Sequence, residues 1–190
     1  MQIISKIITN VLTALYQPFW FAVILSVLFM FVNKAYPSIK QAAKEWISWF
    51  KSDSTFRRTF FLVFYTVMIL FLTLLNRNMW SNPVSNVIGV WGLYNAKGEL
   101  TTECIENLAL FIPFTVLLLW VEKNRILKRM TMGSVLWNST KITFLFSFAI
   151  EMLQLFLRLG TWQLSDLFYN TLGGTIGGLI YLAGYKVTHR

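Results

Sequence analysis

Long apolar runs alternate with short connectors in which the charges collect. Five runs stand out: Val11 to Val32, Thr55 to Leu75, Cys104 to Val121, Ser139 to Leu157 and Leu164 to Tyr185. A helix of about 20 residues crosses a hydrocarbon core, so each run predicts a transmembrane helix. The first run lacks a small-residue cleavage site and is too long for a signal-peptide core, which predicts a retained span. Gln17 and Pro18 start or kink it. Between the first two runs, Ile39, Ala43, Trp46, Ile47 and Phe50 recur at helical spacing while Lys40, Lys44 and Lys51 share another face. That pattern predicts a helix lying in the headgroup region, either recruiting anionic lipid or simply anchoring the first two spans. The expected fold class is all-α: a polytopic membrane helical bundle of five transmembrane helices plus an interfacial amphipathic helix.

Composition agrees with a membrane setting. A chain of 190 residues that is 56% hydrophobic, 17% aromatic and 13% charged cannot clothe a soluble core in polar surface. The basic excess, 17 Lys and Arg against 8 acidic residues, lies in connectors rather than on one soluble face, which argues against a nucleic-acid partner. Topology accounts for it. Thirteen basic residues fall on one side: Lys34, Lys40, Lys44, Lys51, Arg57 and Arg58; Lys123, Arg125, Lys128, Arg129 and Lys141; Lys186 and Arg190. The other side receives Lys6, Arg77, Lys97 and Arg158. The positive-inside bias predicts an N-terminus outside and a C-terminus in the cytoplasm for this multi-pass membrane protein. A single cysteine, Cys104, permits no internal disulfide, and the lone His189 is next to last, so neither a histidine-based catalytic site nor a metal site is expected. No cofactor is expected either. Residues 1–59 carry the first span and the basic connector, and 60–190 form the remaining membrane domain.

The candidate chemistry lies in polar residues at membrane depth: Glu106, Asn107, Glu151, Gln154, Arg158, Asp166 and Asn170. Such groups are costly in hydrocarbon and mark a ligand-binding site by default. Glu151, Gln154 and Arg158 stand at i, i+3 and i+7 and share one stripe, with Glu151 about 10 Å from Arg158 along a helix. Asp166 and Asn170 line up with Gly173, Gly174 and Gly177 on the last helix. The pairs Gly173/Gly177 and Gly174/Gly178 are two overlapping small-xxx-small motifs that let other helices approach closely. Given the topology, all seven polar residues meet in one outward-facing pocket, where Glu106, Glu151 and Asp166 offer three carboxylates to the one guanidinium of Arg158. One carboxylate pairs with Arg158, either Asp166 across the turn or Glu151 down the helix. Those left stay protonated, bind a cation or meet a cationic group on a ligand, because low dielectric disfavours a lone charge. The plainer alternative is that these groups only hydrogen-bond neighbouring helices. Their concentration in the last three runs favours a site.

Pro113 predicts a bend in the third span. The connector from Asn76 to Glu103, with Trp80, Val87, Ile88, Trp91, Leu93 and Tyr94, is too apolar to float in solvent. It is expected to fold onto the outer membrane face, as a lid or as an aromatic belt.

The run ENLALFIPF from Glu106 to Phe114, SFAIEMLQLF from Ser147 to Phe156, Arg158, and SDLFYNTLGGTIGG from Ser165 to Gly178 together resemble the VanZ-like membrane proteins. The resemblance covers roughly Asn86 to Ala183 and departs from the pattern at Thr161 and Ser165. It implies a link to low-level resistance to teicoplanin, a lipid-tailed glycopeptide that acts on cell-wall precursors, as for the family's namesake. It implies no reaction.

Three function classes follow. The favoured one is an envelope protein that binds membrane lipid, a lipid-linked cell-wall intermediate or a lipoglycopeptide and lowers antibiotic susceptibility. The second is an intramembrane enzyme with Glu151 or Asp166 as acid or base; no nucleophile arrangement supports it. The third is a small transporter, which five spans without internal repeat do not suit.

Overall fold

The computed structural model describes residues 2–31, 38–79, 81–95 and 97–188. Val32, Lys34, Trp80, His189 and Arg190, used in the sequence reading, lie outside the described residues. Among the described residues the regular structure is helical: α1 (Gln2–Tyr16), α2 (Phe19–Phe31), α3 (Ile39–Ser52), α4 (Ser54–Leu70) continued by a π-helical turn (Phe71–Leu75), α5 (Glu103–Ile126), α6 (Met132–Leu157) and α7 (Leu164–Thr188).

The first apolar run is not one helix. It divides at Gln17 and Pro18 into α1 and α2, because proline brings no N–H and its ring restricts the residue before it. Alone, the 13 residues of α2 reach only about 20 Å at 1.5 Å per residue. Among the described residues three helices have the length and apolarity of a span, Ser54–Leu75, Glu103–Ile126 and Met132–Leu157; the apolar runs predict five. The 25 residues of α7 are long enough, but its glycines, threonines and Asn170 make it less apolar than those three.

Helix α3 is amphipathic as its pattern requires. Ser38 caps its start by accepting from the Gln41 N–H, and Asp53 both ends it and caps α4 by accepting from the Thr55 N–H. Trp46 and Phe50 meet Phe60 at ring-centroid distances of 5.4 and 5.5 Å, which fastens α3 to the first turns of α4. Ile39 and Ile47 stay exposed beside the lysines, as an interfacial helix presents them.

The centre of the fold is α7, which packs most extensively on α5 and then on α6. Its glycines face two ways. A Cβ on Gly173 or Gly177 would overlap the carbonyl oxygens of Leu108 or Ile112 on α5, and one on Gly174 or Gly178 would overlap the side chains of Thr143 or Ser139 on α6. Two interlocked small-residue faces therefore seat two helices against one. Thr115 and Thr143 hydroxyls share a hydrogen bond at 3.2 Å, as do Thr140 and Thr175 at 2.8 Å; such bonds pin helices together where hydrophobicity cannot. Apolar packing completes the core, with Ile69, Phe111, Phe114 and Ile150 in one cluster and Leu119, Leu127, Val135 and Leu182 in another.

The two glycine faces make a contrast measurable. Gly173→Ala pushes a methyl into the α5 backbone, which cannot yield, and should cost about 1–3 kcal/mol or more. A methyl at Gly133, where a Cβ meets nothing within 4 Å, should leave the melting temperature in detergent unchanged or raised. Equal melting temperatures for the two variants would contradict this packing.

Candidate functional site: a polar cavity at one end of the bundle

Two helices begin side by side at the same end of the bundle, each with acidic residues in its first turn: Glu103 and Glu106 on α5, Asp166 on α7. Free backbone N–H groups at a helix start favour negative charge there, so the folding of α5 and α7 itself helps to tolerate these carboxylates. Between them opens a cavity of about 380 Å³. Its walls are Glu103, Glu106, Asn107 and Leu110 from α5, Asp166 from α7, Leu72, Thr73, Asn76 and Arg77 from the π-helical turn onward, and Asn10, Thr13 and Gln17 from α1 and the break after it.

Several hydrogen bonds fix this wall. The Asn10 amide donates to Thr102 Oγ1 at 2.8 Å and to Glu106 Oε1 at 3.0 Å, and the Thr102 hydroxyl donates to the same carboxylate. Asn76 donates to Gln17 Oε1 at 3.0 Å, holding the α1–α2 break against the end of the π-helical turn. Asn107 contacts Asp166 across the α5–α7 seam. Lys6 donates to the Leu100 carbonyl at 2.9 Å and ties α1 to the connector above.

A second polar layer lies behind the cavity, inside the helix packing. Glu151 is buried and accepts from the Gln163 backbone N–H at 3.2 Å, at the start of α7. Gln154 is buried and donates at 2.7 Å to the carbonyl of Thr73 in the π-helical turn, one of the last carbonyls of this helix, which have no partner within it. Asn170 donates to Ser147 Oγ at 2.9 Å, and its own Oδ1 has no hydrogen-bond partner. The charge on Asp166, at the cavity wall, bears on Glu151 in this layer.

The seven residues predicted as one pocket therefore separate. Glu106, Asn107 and Asp166 line the cavity, Glu151, Gln154 and Asn170 stand behind it in helix contacts, and Arg158 belongs to neither layer. Helix α6 ends at Leu157, and Arg158 caps it in the left-handed conformation with φ 55° and ψ 40°, its side chain exposed. The expected pairing of Arg158 with Asp166 or Glu151 is absent: among the described residues the ion pair formed joins Arg125 to Glu122. A stripe through Glu151, Gln154 and Arg158 requires the helix to run on through Arg158, and it stops at Leu157. The backbone reversal there turns the side chain away.

Arg77 takes the place assigned to Arg158. It lies on the cavity wall, and its charge bears on both Asp166 and Glu151. Sequence reasoning treated Arg77 only as a charge on the outer side. Asn10 was missed too, because the first run was begun at Val11; an asparagine among apolar residues of α1 was the available signal.

The connector 76–102 folds over this end of the bundle. The Gly160, Trp162 and Leu164 N–H groups donate to the carbonyls of Asn78, Pro83 and Val87 at 2.9, 2.9 and 2.8 Å. Gly89, at φ +75°, lies so close to Gln163 and Ser165 that a side chain there would overlap both. Above the cavity this leaves a vestibule of about 590 Å³, sharing Asn76, Arg77 and Glu103 with it and adding Asn78, Asn86, Asn95, Lys97, Thr101 and Thr161. Trp91 packs on the start of α7, 5.2 Å from the Phe168 ring and 5.9 Å from that of Tyr169.

Membrane-length helices whose polar residues gather at one end define a helical membrane protein. The chain belongs to the VanZ/LLP1 family, whose model matches residues 19–185. The match takes in α2 and α3, well before the motif residues that begin at Glu106. No curated protein and no solved structure matches the chain.

Arg158 offers a test of this arrangement. An exposed left-handed position favours glycine, so Arg158→Gly should hold the melting temperature or raise it by the equivalent of up to about 1 kcal/mol. A buried ion pair would instead lose about 3–5 kcal/mol on the same change. A large loss in thermal stability would restore the pairing with a carboxylate.

Proposed function

We propose that this VanZ-like protein binds an amphipathic ligand with a cationic head, a lipid-linked cell-wall intermediate or a lipid-tailed glycopeptide, at the outer face of the bacterial plasma membrane, and thereby lowers glycopeptide susceptibility. The observation that carries the reading is the charge imbalance of the cavity: among the described residues that line it, Glu103, Glu106 and Asp166 face one cation, Arg77. A positively charged group entering there gains the carboxylates without first having to displace an ion pair. The adjoining vestibule, rich in asparagine and threonine, offers both donors and acceptors to a peptide or sugar head, while the tail stays in lipid. The distribution of Lys and Arg supports an outward-facing cavity, with the N-terminus outside.

A second reading, an intramembrane enzyme, draws on the burial of Glu151 beside Asp166. Glu151 stands behind the cavity wall, however, and the binding reading needs no such access.

The test compares Asp166→Asn and Glu106→Gln with the wild type in a deletion strain, scoring susceptibility to lipid-tailed and tail-free glycopeptides together with the melting temperature of each purified variant. Both changes keep shape and remove charge. Resistance to the lipid-tailed drug should be lost in both while stability stays within about 1 kcal/mol, the scale of an interhelical polar contact. A cysteine replacing Ser85 should react with impermeant reagent from outside and one replacing Lys128 should not. Full resistance in Asp166→Asn, or reversed labelling, would defeat the proposal.

A further inference from the structure

The opposite end of the bundle carries a second cavity, of about 620 Å³, between α4, α5 and α7. It lies one membrane thickness from the polar cavity: Arg58 to Arg77, Glu103 to Lys123 and Asp166 to Tyr185 each span about 30 Å of helix at 1.5 Å per residue. Two cations flank it. The Arg58 guanidinium lies over the Trp120 ring at 5.0 Å, and the Lys123 ammonium lies over the Tyr185 ring at 4.7 Å. Among the described residues no carboxylate lines the cavity and neither cation forms an ion pair.

We propose that this cavity is a binding site for the phosphate headgroup of an anionic phospholipid from the leaflet at that end. The ring faces hold both cations in place by attraction to their π-systems, which reduces the side-chain freedom lost on binding, while their N–H donors remain available to phosphate oxygens. Ile180, on the cavity wall and half exposed, continues the site onto the lipid-facing side of α7 as a track for an acyl chain. Gly184 keeps the groove open: a Cβ there meets nothing within 4 Å. A zwitterionic choline headgroup would bring its own cation against Arg58 and Lys123. The site is independent of the polar cavity and of what that cavity binds.

The test titrates the full-length protein in neutral detergent with mixed micelles containing phosphatidylglycerol or phosphatidylcholine and reads the shift in melting temperature. Two cations at about 1 kcal/mol each correspond to about thirtyfold tighter apparent binding of phosphatidylglycerol. Arg58→Gln combined with Lys123→Gln should erase the difference between the lipids. Gly184→Leu, whose Cβ would meet nothing within 4 Å, should crowd the groove and do the same while leaving the melting temperature in phosphatidylcholine unchanged. Lys128→Gln combined with Arg129→Gln should retain the preference. Equal response of the wild type to both lipids, an equal loss in the Lys128/Arg129 variant, or the same shift with inorganic phosphate would overturn the proposal.

Discussion

How closely α7 approaches its two neighbours governs the rest of the molecule. In lipid, apolar surface gives helices little reason to associate, and short backbone distances with interhelical hydrogen bonds must supply it. Gly173 and Gly177 admit α5, and Gly174 and Gly178 admit α6, each where any side chain would collide. Once the three helices are seated, the N-termini of α5 and α7 lie side by side and their first-turn carboxylates come to one place. The cavity is a consequence of that spacing. Its remaining walls are brought by the α1–α2 break and by the π-helical turn after α4, both interruptions of helices that otherwise would run past it.

Electrostatics then divides the polar groups by what satisfies them. Glu151, Gln154 and Asn170 have fixed partners in backbone or neighbouring helices, and such groups hold a bundle in one register. Asp166 and Glu103 face the cavity, where helix N-termini and a single arginine offset their charge only in part. Tolerating that excess is what a site for a cationic ligand requires. The far end has the reverse arrangement, two cations and, among the described residues, no carboxylate in the cavity wall. The bundle thus carries opposite charge preferences at its two ends.

Much of this was legible in the sequence because it depends on local spacing. The α3 pattern and the overlapping glycine pairs can each be read from positions three or four apart. The family resemblance was likewise readable, since its motif residues, apart from Arg158, lie within single helices. What escaped depends on where helices stop. A proline divides the first apolar run, and the left-handed cap at Arg158 ends α6, so a stripe extrapolated through it placed the guanidinium in the wrong surroundings. Arg77 reaches the cavity through the fold of a connector, and no periodicity within one element reports such a contact.

The claim that the cavity is a binding site rather than a fastening is tested most directly by equilibrium binding to the purified protein in nanodiscs. A fluorescent lipid-tailed glycopeptide would be titrated against wild type and Asp166→Asn, with the thermal stability of both measured in parallel. Loss of one hydrogen bond to a charged group, about 1.5–3 kcal/mol, predicts saturable binding to the wild type that weakens about tenfold or more in the variant, at unchanged stability. Absence of binding by the wild type, or equal affinity in the variant, would contradict the account.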